Sequence, residues 1–228
     1  MKISFVFIFL TYSVYATSAI INGIKVSTEE SKEEKSFFAE GNAVISSSIE
    51  NVKNEILKFD LRCNQDLKSK RKFINKSFVC KFHNPSLVES LVIRKLKDRR
   101  FKNDPSVVDE FLVWRNIYNR NAYSYYDLII VKKVSSEAYE VSYNMLSDKE
   151  VSFYLDDYTK KQTAFSKSGG VFKIKKQSDK TFLELNYISE TDHWLLTSSM
   201  AEGTIIEKVA TGTKLAIDAV KKGSEDLN

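Results

Sequence analysis

Short segments in which apolar and polar residues alternate constrain the fold of this chain more than any other feature. The clearest is segment 139–145, whose apolar positions are Tyr139, Val141, Tyr143 and Met145. A period of two predicts a strand with one buried face. Further strands are predicted at 37–45, 111–118, 125–134, 151–155, 171–175 and 182–188. The short connections between most of them favour an antiparallel meander.

Two amphipathic helices are predicted around these strands. Residues 47–50 have the hydroxyl-x-x-Glu pattern of a capping box, and apolar residues follow at helical spacing. Residues 199–202 repeat that pattern and begin a long closing helix that ends near Gly223. Its apolar stripe consists of Ile205, Ile206, Val209, Thr213, Ala216, Ile217 and Val220. Gly203 and Gly212 lie inside this helix, where they either leave room for a ligand or a strand or are simply tolerated.

The N-terminus has the three parts of a secretory signal peptide, predicted over residues 1–19. Lys2 provides a basic start, an apolar run follows, and small residues occupy positions 16–19. We expect cleavage between Ala16 and Ala19 and export, to the periplasm if the host is a Gram-negative bacterium and otherwise by secretion. An uncleaved membrane anchor is the alternative, although a membrane span needs roughly 20 residues. Residues 20–36 are rich in charged and hydroxyl side chains, which predicts a flexible polar leader.

Composition limits the remaining chain to one domain with a substantial core. Hydrophobic residues make up 43% of the chain, including 15 Phe and 11 Tyr, whereas there are only 2 Pro and 7 Gly. No later segment is apolar and long enough to span a bilayer, so we expect a soluble mature chain. The 35 Lys and Arg are mixed with the 30 Asp and Glu, and we expect no nucleic-acid partner.

Two cysteines, Cys63 and Cys80, are expected to form a disulfide, because export and an even count favour pairing. Such a bond would stabilise the fold by about 3 kcal/mol on the chain-entropy model. Free thiols are one alternative, and a metal site with His83 is another, although it lacks the paired spacing of structural zinc sites. The chain contains no nucleophile elbow, zinc-binding His pair or phosphate loop, and we expect no metal and no cofactor.

The order strand, helix, antiparallel meander and long closing helix resembles the START-like (SRPBCC) superfamily of lipid-binding and polyketide-cyclase-like domains. The resemblance rests on segment 43–52, on the strand pair 168–174 and 182–187, and on the helix 199–222. It implies an α+β fold for residues 37–226, in which a curved antiparallel β-sheet (helix-grip) wraps around the C-terminal helix. The basic, cysteine-bearing stretch 60–86 departs from this pattern.

The resemblance also implies an apolar cavity between the sheet and the closing helix. The residues expected to bind a ligand there are Trp114, Arg115, Tyr143, Phe153, Phe172 and Tyr187. The aromatic members would alternatively form a plain core, and Trp114 lies in a segment that is apolar on both faces. A buried arginine must be paired or bind an anion, so Arg115 would hold a lipid head group or carboxylate, or form an ion pair at the barrel mouth.

Three functions are compatible with these patterns. The first is an exported, non-enzymatic protein that binds a lipid or other hydrophobic small molecule and makes transient membrane contact. The second is a cyclase- or aromatase-like enzyme, for which Arg115, Tyr143 and Asp127 are the polar candidates. The third is an interaction protein whose cavity is filled by its own side chains. The volume and polarity of the cavity would separate them.

Overall fold

The computed structural model describes residues 16–31, 34–58, 62–63, 82–83, 87–95, 104–119 and 121–226. The strands in these residues are β1 (Ala16–Ile21), β2 (Ile24–Glu30), β3 (Lys35–Ile45), β4 (Arg62–Cys63), β5 (Phe82–His83), β6 (Leu87–Lys95), β7 (Val107–Asn119), β8 (Asn121–Ser135), β9 (Ala138–Met145), β10 (Lys167–Gln177) and β11 (Lys180–Thr191). The helices are α1 (Ile49–Ile56), α2 (Asp148–Val151), α3 (Trp194–Thr197) and α4 (Ser199–Glu225).

Nine of these strands form one curved, open sheet in the order β1-β2-β3-β11-β10-β9-β8-β7-β6. Every neighbouring pair in this sheet is antiparallel. The short strands β4 and β5 form a separate parallel pair. The predicted α+β class, an antiparallel sheet with a long C-terminal helix, is therefore confirmed.

The closing helix α4 packs against one half of the sheet, formed by β1, β2, β3 and β11. Its stripe of Ile206, Ala210 and Ile217 is buried in the main core between helix and sheet. Gly41 on β3 permits this close approach, because a Cβ there would come within 2.4 Å of Ile24 Cδ1 and 2.8 Å of Ile217 Cδ1. No helix in the described ranges is long and apolar enough to cross a bilayer.

The first turn of α4 is held by an ionic contact instead of the predicted capping box. Ser198 is the N-cap residue and makes no side-chain cap hydrogen bond. The Glu202 carboxylate accepts hydrogen bonds from Lys35 Nζ at 2.9 Å and from Thr28 Oγ1 at 3.1 Å. Only 2% of the Lys35 side chain is exposed. Gly203 and Gly212 are exposed, and an added Cβ at either would face open space. Neither glycine is needed to admit a ligand or a strand, so both are simply tolerated in the helix.

The predicted flexible leader and the domain boundary at residue 37 are wrong, because β1 and β2 belong to the sheet. Val26 and Thr28 of β2 are buried, and β2 pairs with β3 along its whole length. The connection between β1 and β2 is Asn22-Gly23, and both residues have positive φ, 52° and 80°. Asn-Gly is the preferred sequence for such a two-residue hairpin turn. Residues 1–15 lie outside the described ranges.

The outer face of β7 and β8 is covered by the connection 146–166. A second apolar cluster forms there, from Leu112, Trp114, Tyr126, Leu128, Ile130, Leu146 and Val151. The strand predicted at 151–155 is wrong, because Ser147 and Glu150 form a capping box that begins the short helix α2, and turns follow it. Both faces are thus buried at residues 112–114 of β7 and 128–131 of β8, which explains why these stretches are apolar on both faces.

We expect Ile217→Ala to lower the free energy of unfolding by about 2–4 kcal/mol, because the side chain is 2% exposed in the main core. Leu215→Ala, at an exposed position of the same helix, is the matched control and should change it by less than about 0.5 kcal/mol. Chemical denaturation measures both. Equal, small losses would mean that α4 is peripheral to the fold.

Candidate ligand-binding site

The candidate site lies on the inner face of the sheet, beside the half that α4 covers. The helix α1 packs on β9, β10 and β11 at one end of this face. Val113 on β7 and Ile129 on β8 belong to the inner core. Arg115 lies two residues from Val113, and Asp127 lies two residues from Ile129, so strand alternation places both on the inner face. Tyr143, Phe172 and Tyr187 pack against the same core.

A buried ion pair is the main polar feature of this face. Arg115 Nε donates a hydrogen bond to Asp127 Oδ2 on the neighbouring strand. Only 3% of the Asp127 side chain is exposed, against 17% of the Arg115 side chain. Burial raises the pKa of Asp127, and the Arg115 guanidinium opposes that rise. The prediction that Arg115 forms an ion pair is confirmed, and the charges of the two groups cancel.

The Arg115 guanidinium retains unused hydrogen-bonding capacity. It has five N–H donors, and in the described part of the chain only Nε is bonded. Burial alone would lower the Arg115 pKa, but the Asp127 carboxylate, together with Tyr125 and Tyr143, raises it by more, so the group stays charged. The terminal nitrogens of Arg115 are therefore available to a polar atom of a ligand.

Two tyrosine side chains, Tyr125 and Tyr143, lie near Arg115, and a third, Tyr187, lies near those two. Tyr125 pairs with Arg115 in the β7–β8 register, and Tyr143 and Tyr187 both lie opposite Gly170. Burial is the main cause of the raised pKa of Tyr125 and Tyr143, and neighbouring Asp127 and Tyr187 add to it. These three tyrosines nevertheless keep some accessible surface.

Gly170 makes room for the Tyr143 ring. A Cβ at Gly170 would lie 2.6 Å from Tyr143 Oη and 2.8 Å from Tyr143 Cζ. The Tyr143 ring is tilted against Phe172, with centroids 5.9 Å apart. The Tyr187 hydroxyl lies 3.2 Å from Ser168 Oγ. The result is a wall of aromatic faces carrying a few hydroxyl groups, which suits an amphipathic small molecule.

The structure brings together four of the six predicted ligand-binding residues, Arg115, Tyr143, Phe172 and Tyr187. The prediction for Trp114 is wrong, because its side chain points to the outer face and is buried in the second apolar cluster. The prediction for Phe153 is also wrong, because this residue follows α2 and its side chain is 74% exposed. Sequence reasoning missed Tyr125, although its position two residues before Asp127 on one strand was the available signal.

The predicted disulfide is not tested by the described residues. Cys63 lies in β4, and Cys80 lies outside the described ranges. His83 is in β5, where only the backbone is described. Within the ranges given above, no group of three metal-ligating side chains occurs. The pairing of Cys63 with Cys80 stays a prediction.

Comparison with known proteins defines the class of fold. No family model and no curated protein sequence matches the chain. A STAR-related lipid transfer protein from Xanthomonas axonopodis is similar in structure, with 12% identity, a TM-score of 0.52, and 92% of this chain and 98% of that chain covered. Human StAR-related lipid transfer protein 5 gives 10% identity and a TM-score of 0.52, covering 95% of this chain and 89% of its own.

A protein from Thermus thermophilus is also similar, with 6% identity, a TM-score of 0.54, and 84% and 99% of the two chains covered. Sequence identity is low in all three pairs, so the similarity concerns the fold. This chain therefore has the START-like helix-grip fold, as its element order predicted.

Alkaline pH tests the burial of Tyr143. Because the pKa of Tyr143 is raised by folding, its hydroxyl ionises first in the unfolded chain, and stability is lost as pH rises above about 10. One such group makes the free energy of unfolding fall by about 1.4 kcal/mol per pH unit over this range. We expect Tyr143→Phe to remove that contribution in denaturation curves measured at several pH values.

Phe172→Leu is the matched control for this measurement, because it alters the same wall without removing a hydroxyl. It should lower stability equally at every pH. Parallel pH curves for the wild type and Tyr143→Phe would contradict the assigned environment of Tyr143.

Proposed function

We propose that this chain binds a lipid or another hydrophobic small molecule between the inner face of its sheet and α4. The observation that carries the proposal is the inner-face wall of Tyr125, Tyr143, Phe172 and Tyr187 that extends from the buried Arg115–Asp127 pair. Aromatic faces provide apolar surface for the body of a ligand, and a few fixed polar groups orient its head.

The charge balance of the site favours a neutral polar head group. Asp127 already neutralises Arg115, so a ligand carboxylate placed against the guanidinium would also meet the Asp127 carboxylate. A hydroxyl, ester or ketone oxygen can accept a hydrogen bond from the terminal nitrogens of Arg115 without that repulsion. The ligand class that fits is an apolar molecule with one uncharged oxygen-bearing end.

The comparisons support this proposal at the level of fold. Two of the similar structures carry names that describe lipid transfer. The same fold supports different functions, so the argument for this chain rests on its own residues. A core filled by its own side chains is the alternative, and the binding experiment below separates the two.

A cyclase- or aromatase-like enzyme is the second candidate, because Arg115, Asp127 and two tyrosines converge on one wall. A tyrosine that stays protonated can donate a hydrogen bond to a carbonyl oxygen. Because Asp127 is already paired with Arg115, it is a weaker candidate for a general base, which favours binding over catalysis. Recovery of a bound ligand in chemically unchanged form separates the two candidates.

We also propose that the protein is exported and cleaved after Ala16. Cleavage there keeps β1 from Thr17 onward, whereas cleavage after Ala19 would remove most of the strand. N-terminal sequencing of the exported protein should find Thr17 first. A mature chain that still begins at Met1 would contradict export by this route, and one that begins at Ile20 would contradict the role of β1.

Ligand binding is tested with a fluorescent fatty-acid analogue and its neutral methyl ester. We expect the methyl ester to bind about tenfold more tightly, a difference of about 1.4 kcal/mol, because it avoids the Asp127 carboxylate. The double variant Tyr143→Ala, Phe172→Ala should lose most of this binding. Phe153→Ala, which removes an exposed aromatic side chain, is the matched control and should bind like the wild type.

Failure of the wild type to take up either probe or a natural lipid extract would overturn the binding proposal. Tighter binding of the free acid would retain a binding site but contradict the neutral head group. Equal loss of binding in the Phe153 variant would place the site elsewhere.

A further inference from the structure

Gly170 occupies a position in the aromatic wall where a side chain would be expected. It lies on the inner face of β10, in register with Tyr143 on β9 and with Tyr187 on β11. Side chains on a strand normally stand roughly perpendicular to the sheet. Between these two tyrosines, Gly170 therefore leaves one inner-face position without a side chain of its own.

The Tyr143 phenol fills that position. A Cβ at Gly170 would lie 2.6 Å from Tyr143 Oη and 2.8 Å from Tyr143 Cζ, so the hydroxyl end of the ring lies directly over Gly170. Real Cβ atoms do not approach other atoms this closely, and a side chain at position 170 would therefore displace the ring. Because Tyr143 leans across β10 instead of standing upright, its ring lies low on the inner face of the sheet.

The neighbours of Tyr143 limit the direction in which its ring could move. Phe172 is the next inner-face residue of β10, and its ring lies against that of Tyr143, with centroids 5.9 Å apart. Ser168 precedes Gly170 on the same face, and its Oγ lies 3.2 Å from the Tyr187 hydroxyl. A Tyr143 ring displaced from Gly170 would therefore move away from the sheet, into the space that we assign to the ligand.

We propose that Gly170 determines the width of the ligand that the site accepts, by allowing the Tyr143 ring to lie against the sheet. This role depends on the proposed function, because it concerns the same wall of the site. Gly170 acts through Tyr143, so it is a positioning residue. A methyl group at position 170 should narrow the site for a broad apolar molecule and leave the binding of a slender chain almost unchanged.

Two neutral fluorescent probes of different width test this proposal. The methyl ester of parinaric acid has a slender polyene chain, whereas the methyl ester of pyrenebutyric acid has a broad fused-ring body, and both have the same uncharged end. The affinity for each is measured by fluorescence titration. Gly170→Ala should lower the affinity for the pyrene ester at least about tenfold, because the added methyl group overpacks this wall, and that for the polyene ester less than about threefold.

Gly169→Ala is the matched control for strain in β10. Gly169 is also buried, and a Cβ there would lie 2.7 Å from the Tyr143 carbonyl oxygen, just as one at Gly170 would lie 2.6 Å from the Asn186 carbonyl oxygen. Both substitutions therefore disturb the neighbouring backbone, but only Gly170→Ala also meets the Tyr143 ring. Gly169→Ala should change the affinities for the two probes by the same factor.

The double variant Gly170→Ala, Tyr143→Leu shows whether Gly170 acts through Tyr143. A leucine side chain is too short to lie over position 170, so the added methyl group no longer has a ring to displace. The double variant should have the same relative affinity for the two probes as Tyr143→Leu alone, to within about twofold. It should also be folded by circular dichroism even if Gly170→Ala alone is not.

Other outcomes overturn this role of Gly170 and leave the binding site in place. These are an equal loss for both probes in Gly170→Ala, the same change of selectivity in Gly169→Ala, and a double variant whose selectivity differs from that of Tyr143→Leu. If Gly170→Ala and the double variant are both unfolded, the Asn186 carbonyl and not Tyr143 requires the glycine, which also overturns it. A wild type that takes up neither ester contradicts the proposed function itself.

Discussion

The close contact of α4 with one half of the sheet is the constraint on which the rest of the molecule depends. Gly41 lets the helix approach β3, and the buried Lys35–Glu202 contact fixes its first turn over β2 and β3. Because α4 lies on β1, β2, β3 and β11, the inner face of the remaining strands is left to other side chains. The proposed ligand site lies on that remaining part of the face.

Stability alone does not account for the buried Arg115–Asp127 pair, which is why the pair is central to the proposed ligand site. Removing two charges from water is costly, and replacing such a pair with apolar residues is often neutral or stabilising. The pair lies among tyrosines whose pKa values are raised by burial, and it leaves guanidinium donors free in the described part of the chain. A preorganised, neutral polar group in an apolar wall is the arrangement that orients an amphipathic ligand.

Sequence reasoning succeeded where one pattern had one explanation. The alternation at 139–145 and the apolar stripe of α4 each predicted an element and its buried face. Trp114 could not be placed, because β7 is apolar on both faces and the covering segment 146–166 is distant in sequence. The pairing of Arg115 with Asp127 depends on the register between β7 and β8, which spacing alone does not specify. In the polar leader, frequent charges concealed both the alternation of Ile24, Val26 and Thr28 and the Asn22-Gly23 turn.

Native mass spectrometry of the protein isolated from its own host tests the central claim most directly. A ligand held between the sheet and α4 should survive gentle purification and add the mass of one lipid-sized molecule to each chain. Extraction and fragmentation should then identify an apolar compound with an uncharged oxygen-bearing end, and the Tyr143→Ala, Phe172→Ala variant should carry much less of it. A wild-type chain that is always found at its bare mass, and that takes up nothing from a lipid extract of its host, would contradict the account.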